Sequence, residues 1–369
     1  MKLKHLKYLL IFLSLNCWGQ NKNTAIIDSI LNSTFPRGFN GAILFTSNDS
    51  VVFKNNYGYS NFKKNIPLND SSVFDLASCA KQFTAVAILK LQEMGKLSVS
   101  DSLRKFFPEL PYNNVTIKQL LTHTSGIPDY VNLLQRNKIK MGAFLYNADL
   151  ISYYSKEKIK ADFPSGKKYR YSNTAYAFLA SIIEKASGMS YGDFLKKYIF
   201  EPLGMNHTLV YNTRWTKGET IPNYAYGYIF SKKDKKYYLP DTIKDYSFVV
   251  SDCILGPKGV NTTIMDLIKW DKALLNNTVL TMESINDAYT FAKTNSGEEF
   301  NYGYGVGIET QKDIGKIISH MGGIPGYHSI IYRLVDKRKM LVILSNKFSE
   351  SDDLWSLAQK ISGLFLNNK

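Results

Sequence analysis

Cysteine is scarce, with three residues in 369, at positions 17, 79 and 253. Cys17 falls in a leader-like segment, so a disulfide framework is excluded and only a Cys79–Cys253 bridge is left open. Cys79 lies in a very apolar stretch, where a buried free thiol is the better expectation. No His-Glu-x-x-His and no Cys-x-x-Cys pair occurs, and the five histidines stand far apart. No metal site is therefore expected, and without a phosphate loop or dinucleotide glycine pattern no cofactor is expected either. No apolar run is long enough to cross a bilayer. Acidic residues are outnumbered 31 to 46, for a formal charge of +15. The basic residues are scattered apart from clusters at Lys156/Lys158/Lys160 and Lys232/Lys233/Lys235/Lys236. No basic helix or aromatic stripe accompanies them, so nucleic acid is not an expected partner. A solubilising surface is the plain reading, and attraction to polyanionic envelope material the functional one.

What is present begins with a charged start, Lys2, Lys4 and Lys7, followed by the apolar run Tyr8 to Leu15 and the small residues Cys17 and Gly19. That is the layout of an export signal cleaved after Gly19, and it predicts a periplasmic or extracellular protein. Lipid attachment to Cys17 is the lesser alternative, because Asn16 suits it poorly. Beyond residue 19 the hydrophobic pattern changes twice. Gly41 to Thr46 and Val51 to Tyr57 read as a hairpin turned at Ser47-Asn48-Asp49-Ser50, after a short helix from Thr24 to Leu31. Ser78 to Met94 reads as a helix closed by Gly95, and it is apolar nearly all round, hence buried. Residues from about 116 to 208 read as mostly helical, broken by Pro128, Pro164 and Pro202. Strands return over Tyr304 to Glu309, Lys316 to His320, Tyr327 to Leu334 and Met340 to Ser345, before a last helix from Asp353 to Leu366. The expectation is α+β: one antiparallel sheet built from both termini and flanked by helices, with an inserted all-helical region. In residue terms, 20–369 is one catalytic domain whose α/β part covers 20–110 and 240–369 and whose helical part covers 111–239.

Three short motifs carry chemistry, and context selects among their copies. Ser-x-x-Lys occurs five times, but only Ser78–Lys81 opens a buried helix. A spacing of three puts both side chains on one helical face. The helix start offers unpaired N–H groups to an oxyanion, and an apolar surround lowers a lysine pKa toward a usable base. The competing reading has Ser78 as a helix cap and Lys81 at the surface. Tyr171-Ser172-Asn173 is one of four Tyr-x-Asn triplets and sits at a loop-to-helix junction, where Tyr171 could relay protons and Asn173 could orient Lys81 or a carbonyl. Packing and capping are the alternative roles. His320-Met321-Gly322 is the single His-x-Gly, at the end of an apolar strand before Gly323, where a backbone N–H could face an oxyanion. A plain turn would serve those glycines equally well. A rival nucleophile, Ser190 in Gly188-Met189-Ser190-Tyr191-Gly192, has Asp266 and His320 after it in the hydrolase order. The segment before it reads as a helix, whereas that motif needs a strand.

Longer stretches resemble the serine β-lactamase-related family of class C β-lactamases, penicillin-binding D,D-peptidases, D-aminopeptidases and esterases. They are Phe74 to Thr84, Leu120 to Pro128, Tyr171-Ser172-Asn173, Pro202 to Met205, Gly256 to Trp270, and His320 to Gly323 with Pro325-Gly326. The resemblance implies a β-lactamase/transpeptidase-like fold. It implies Ser78 as acylated nucleophile, Lys81 as base, Tyr171 as proton-transfer residue and Asn173 as orienting residue. It further implies the backbone N–H groups of Ser78 and Gly323 as oxyanion hole. His320 stands where β-lactamases carry the lysine of Lys-Thr-Gly, and offers at most a titrating imidazole with no hydroxyl beside it. The implied substrate is an ester, or a D-amino-acid amide or peptide that could derive from peptidoglycan, more than a β-lactam; separately, a monomer is expected. The alternative from another class is a catalytically silent envelope-binding or sensor domain on the same fold.

Overall fold

The computed structural model describes residues 24–35, 37–136, 145–211, 221–242, 251–348 and 353–366. The expected leader, with Cys17 and Gly19, lies outside them. Its main element is a six-stranded, wholly antiparallel sheet. The strands are β1 (Gly41–Ser47), β2 (Ser50–Tyr57), β3 (Gly307–Gln311), β4 (Gly315–Ile324), β5 (Tyr327–Leu334) and β6 (Lys339–Ser345), in the order β3-β4-β5-β6-β1-β2. The two termini meet where β1 pairs β6, with Gly41 opposite Ser345 and Ser47 opposite Lys339. Asn48 and Asp49, both at positive φ, make the β1–β2 turn, a conformation in which short polar side chains are tolerated.

Alternation sorts the sheet into two faces. Ile43, Phe45, Ile330, Tyr332, Leu341 and Ile343 face an outer layer made by α1 (24–34) and α8 (Leu354–Leu366), where Phe45 stacks on Phe365 at 4.2 Å. Ala42, Leu44, Ile331, Met340, Val342 and Leu344 face the larger core. That core is centred on α2 (Lys81–Glu93), with ten of its thirteen residues buried. Each Leu, Ile or Phe buried this way contributes about 1.5–3 kcal/mol, so a helix buried on nearly every side is held by its surroundings rather than by one face. Other helices include α3 (Ile117–Leu121), α4 (Tyr130–Gln135), α5 (Asn147–Lys156), α6 (Asn173–Ser187) and α7 (Ile264–Leu275).

Several expectations need correcting. The helix expected from Ser78 starts as a 3₁₀ turn over Ala77–Ala80 and becomes α-helical at Lys81. The stretch expected to be all-helical also holds short strands, Leu209–Val210, Tyr228–Ser231 and Lys236–Tyr238. They exist because Leu209–Val210 joins Phe74–Asp75 on either side of Val260–Thr262, and Tyr228–Ser231 pairs with Lys347–Phe348, long-range partners that local pattern does not reveal. The strand expected to end at His320 continues through Gly322 and Gly323 to Ile324, since β5 stays paired along its whole length.

Candidate active site

The turn carrying Ser78 is clamped from both sides. Leu76 donates its N–H to Val260 O at 3.0 Å, and Ala77 donates its own to Asp75 Oδ1 at 2.7 Å. Ala77 has φ +47°, a left-handed backbone that costs a non-glycine residue of order 1–3 kcal/mol and persists only where the surroundings impose it. On the far side lies β4. A Cβ on Gly322 would stand 2.4 Å from Leu76 O and from Ser329 Oγ, and 2.9 Å from Ser78 N. Gly322 is therefore required by the close approach of the Ser78 turn, not by a chain reversal. β3 pairs β4 only up to Ser319, so His320 to Ile324 extend past the end of β3 along an edge beside Ser78.

Ser78 is half-buried and Lys81 is fully buried. Lys81 Nζ lies 3.0 Å from Ser78 Oγ, 2.9 Å from Asn173 Oδ1 and 3.0 Å from Pro257 O. All three acceptors are uncharged. Burial lowers the Lys81 pKa to about 7, against the raising field of Asp129. Asn173 opens α6, but Ser172 is its cap, accepting from Ala175 N at 3.2 Å, so the Asn173 amide is left to meet Lys81. The Tyr171 ring lies 4.8 Å beneath Lys81 Nζ, and burial pushes its phenol upward against a smaller lowering pull from Ser78. This side chain stays protonated at neutral pH.

His320 is buried and its pKa falls to about 3, through burial first and the nearby Lys81 second. Of the imidazole that the sequence offered as at most titrating, a neutral ring remains near pH 7. Nδ1 sits 2.6 Å from Met321 O and must donate to it, which leaves Nε2 as acceptor for the Tyr302 hydroxyl at 3.0 Å. A bridge between Cys79 and Cys253 is absent: neither buried cysteine is in a disulfide, and Cys79 Sγ donates instead to His320 O at 3.0 Å. Burial pushes the Cys79 thiol up to about 12, away from thiolate chemistry.

The rival serine is disposed of by its surroundings. Gly188, at φ +71°, ends α6, and Ser190 then caps the helix Tyr191–Leu195, accepting from Asp193 N at 3.1 Å and donating to Asp193 Oδ2 at 2.6 Å. Asp266 receives His207 N and Thr208 Oγ1, and His320 is bonded elsewhere. Ser190 does line a cavity of about 790 Å³, but that space holds none of Ser78, Lys81, Tyr171 or Asn173. Among the described residues no three His, Cys, Asp or Glu side chains converge as metal ligands.

The five side chains singled out in sequence, Ser78, Lys81, Tyr171, Asn173 and His320, come together with the backbone of Gly322. Sequence reasoning missed Asp129, which holds Asn173, the Pro257 carbonyl, and Tyr302 with His123, which line the aromatic wall around Tyr171. His123 was visible only as one letter of the Leu120–Pro128 stretch. It is fully buried, has φ +57°, and its Nδ1 accepts the Ser172 N–H at 3.1 Å.

Comparison with known proteins places the chain in a family. A family profile described as Beta-lactamase matches residues 37–361. Penicillin-binding protein 4* of Bacillus subtilis (strain 168) is 39% identical over 319 residues, 85% of this chain and 69% of that protein. The octameric penicillin-binding protein homologue from Pyrococcus abyssi superposes with a TM-score of 0.77 at 28% identity, over 93% of this chain and 77% of that one. The D-amino acid amidase from Ochrobactrum anthropi SV3 shares the fold, with a TM-score of 0.72 at 21% identity over 94% and 99% of the two chains. With a β-lactamase/transpeptidase-like fold and a profile match along most of its length, the chain belongs to the Beta-lactamase family of serine hydrolases.

Proposed function

We propose that this chain is an exported acyl hydrolase working through a Ser78 acyl-enzyme, on an ester or a D-amino-acid amide or peptide rather than a β-lactam. The observation that carries the reading is Lys81 Nζ, fully buried, 3.0 Å from Ser78 Oγ and with its pKa brought to about 7. In this reading Ser78 Oγ bonds to the substrate carbonyl carbon while its proton passes to neutral Lys81. The oxyanion is held by the N–H groups of Ser78 and Gly323, and the open edge from His320 to Ile324 supports substrate lying along β4. Tyr171, kept protonated by burial, gives its proton to the leaving oxygen or nitrogen as that bond breaks, and regains one through Lys81. Water then attacks the acyl carbon and releases Ser78.

His320 supports this choice of substrate class. A β-lactam presents a carboxylate, which a fixed cation would receive. Neutral His320, with Nδ1 spent on Met321 O and Nε2 on Tyr302, supplies none. The buried Lys258 is already paired with Asp252 at 2.7 Å. Export is supported by the leader pattern, and no helix among the described residues is long and apolar enough to cross a membrane. The test is mass spectrometry after exposure to a fluorophosphonate probe. A single adduct on the Ser78 peptide, lost in Ser78→Ala, is expected, and an adduct that persists in Ser78→Ala overturns the proposal. A panel of esters, D-amino-acid amides and a chromogenic cephalosporin then ranks the substrates.

A further inference from the structure

Asp129 precedes α4 and is buried, 8% exposed. One of its oxygens does ordinary work: Oδ1 accepts Val131 N at 2.8 Å and caps the helix. Any short polar residue could do that. The other oxygen turns toward α6, where Oδ2 accepts Asn173 N at 2.6 Å and Asn173 Nδ2 at 3.1 Å. An ionised carboxylate only accepts, so the nitrogen of the Asn173 amide must face Asp129 and its oxygen must face Lys81. With the amide reversed, an NH₂ would oppose the Lys81 amine and a carbonyl oxygen would oppose the carboxylate.

We infer that Asp129 is a positioning residue for the Ser78–Lys81 couple: through Asn173 it aims a carbonyl oxygen at Lys81 Nζ and ties the start of α4 to the start of α6. The inference rests on the proposed role of Lys81 as base. The same link places a negative charge one side chain away from Lys81 instead of in contact with it. A direct carboxylate would hold the lysine proton firmly, whereas the intervening amide fixes Nζ in place without an ion pair. Other groups face Lys81 too. Ser78 and Pro257 O touch it, the rings of Tyr171 and Tyr176 lie 4.8 and 5.6 Å away, and Cys79 sits in the preceding turn. His123 and His320 are uncharged neighbours, both held below their ordinary pKa by burial and by Lys81 itself. Lys258 opposes the Lys81 charge, and the Asp129 carboxylate favours it.

Two variants separate this role from helix capping. Asp129→Ser keeps an acceptor for Val131 N but cannot reach Asn173. Asp129→Asn keeps the shape but brings an NH₂ against one of the donors it now receives. In both, kcat/KM on an ester substrate is expected to fall about tenfold or more, because a small displacement of a catalytic group is amplified in rate. Removing the carboxylate also removes support for the protonated amine, so the Lys81 titration, read by ¹³Cε NMR, moves to lower pH. An unmoved Lys81 titration in folded variants overturns the inference even if activity drops. Should neither variant fold, the wild-type protein supplies the reading: the Asn173 Nδ2 protons must shift as Asp129 titrates, and insensitivity overturns it. Failure of wild-type protein to label at Ser78 would overturn the acyl-enzyme reading instead, and the NMR titration would still decide the role of Asp129.

Discussion

Lys81 in α2 and Arg333 on β5 are both buried basic side chains, and the structure surrounds them with opposite chemistry. Arg333 is 2% exposed and gives its Nε to Asp271 Oδ1 at 2.5 Å, while Nη1 donates to the Tyr289 hydroxyl. Burial works against its charge, but Tyr289 and Asp271 outweigh that and its pKa rises. Lys81 meets a serine oxygen, an amide oxygen and a backbone carbonyl, none charged, and burial brings its pKa to about 7. A carboxylate in contact locks the proton on, and neutral acceptors hold the nitrogen in place while the proton is free to leave. The Arg333 corner ties β5 to α7 and the Lys81 corner is poised for proton transfer.

The largest effects should separate these two corners completely. Ser78→Ala and Lys81→Met should each lower kcat by about 10⁴-fold or more, as loss of a nucleophile or its base does in acyl-transfer enzymes. Circular dichroism and melting should show a folded protein in both. Activity surviving in Lys81→Met would mean another group takes the serine proton and would break the comparison. Asp271→Ala should do the reverse. It leaves Arg333 charged, buried and unpaired, which typically costs about 3–5 kcal/mol of stability, measurable by urea denaturation. Its kcat/KM per folded molecule should stay near wild type.

How far the sequence led can be judged at the same two corners. The Ser78–Lys81 spacing was readable because it opens an apolar helix, and the strands β1, β2, β5 and β6 were readable by alternation and turns. Asp129 was not, because an acidic residue after Pro128 looks like turn chemistry until α6, more than 40 residues on, is packed against it. The Pro257 carbonyl carries no side-chain signal at all. Arg333 and Asp271 are 62 residues apart and belong to different elements. Gly322-Gly323 could be read either as glycines that admit a close backbone or as a turn, because the sequence does not show the Leu76 carbonyl that would collide with a larger residue at Gly322.

The pH profile sharpens the contrast at an intermediate scale. Lys81 works as a base only when neutral, and below its pKa of about 7 the neutral fraction falls roughly tenfold per unit. The acid limb of kcat/KM should therefore rise through an apparent pKa near that value and level off above it. The Arg333 corner, charged throughout, should add no limb. A limb centred near pH 4 to 5, in the carboxylate range, would assign the base elsewhere.

The smallest effect should come from His320, and it tests what neutrality means at this site. With a pKa of about 3 and both nitrogens bonded, the ring acts as a spacer and acceptor for Tyr302, not as an acid or a cation. His320→Gln keeps an acceptor able to reach the Tyr302 hydroxyl, so kcat/KM should drop only about two- to tenfold, the range expected for one weakened neutral hydrogen bond. The acid limb should stay where it was, or move slightly upward if loss of the imidazole lets more water reach Lys81. If the limb instead vanished in His320→Gln while Lys81→Met kept it, the proton would belong to the imidazole. Lys81 would then resemble Arg333, a charge held for structure.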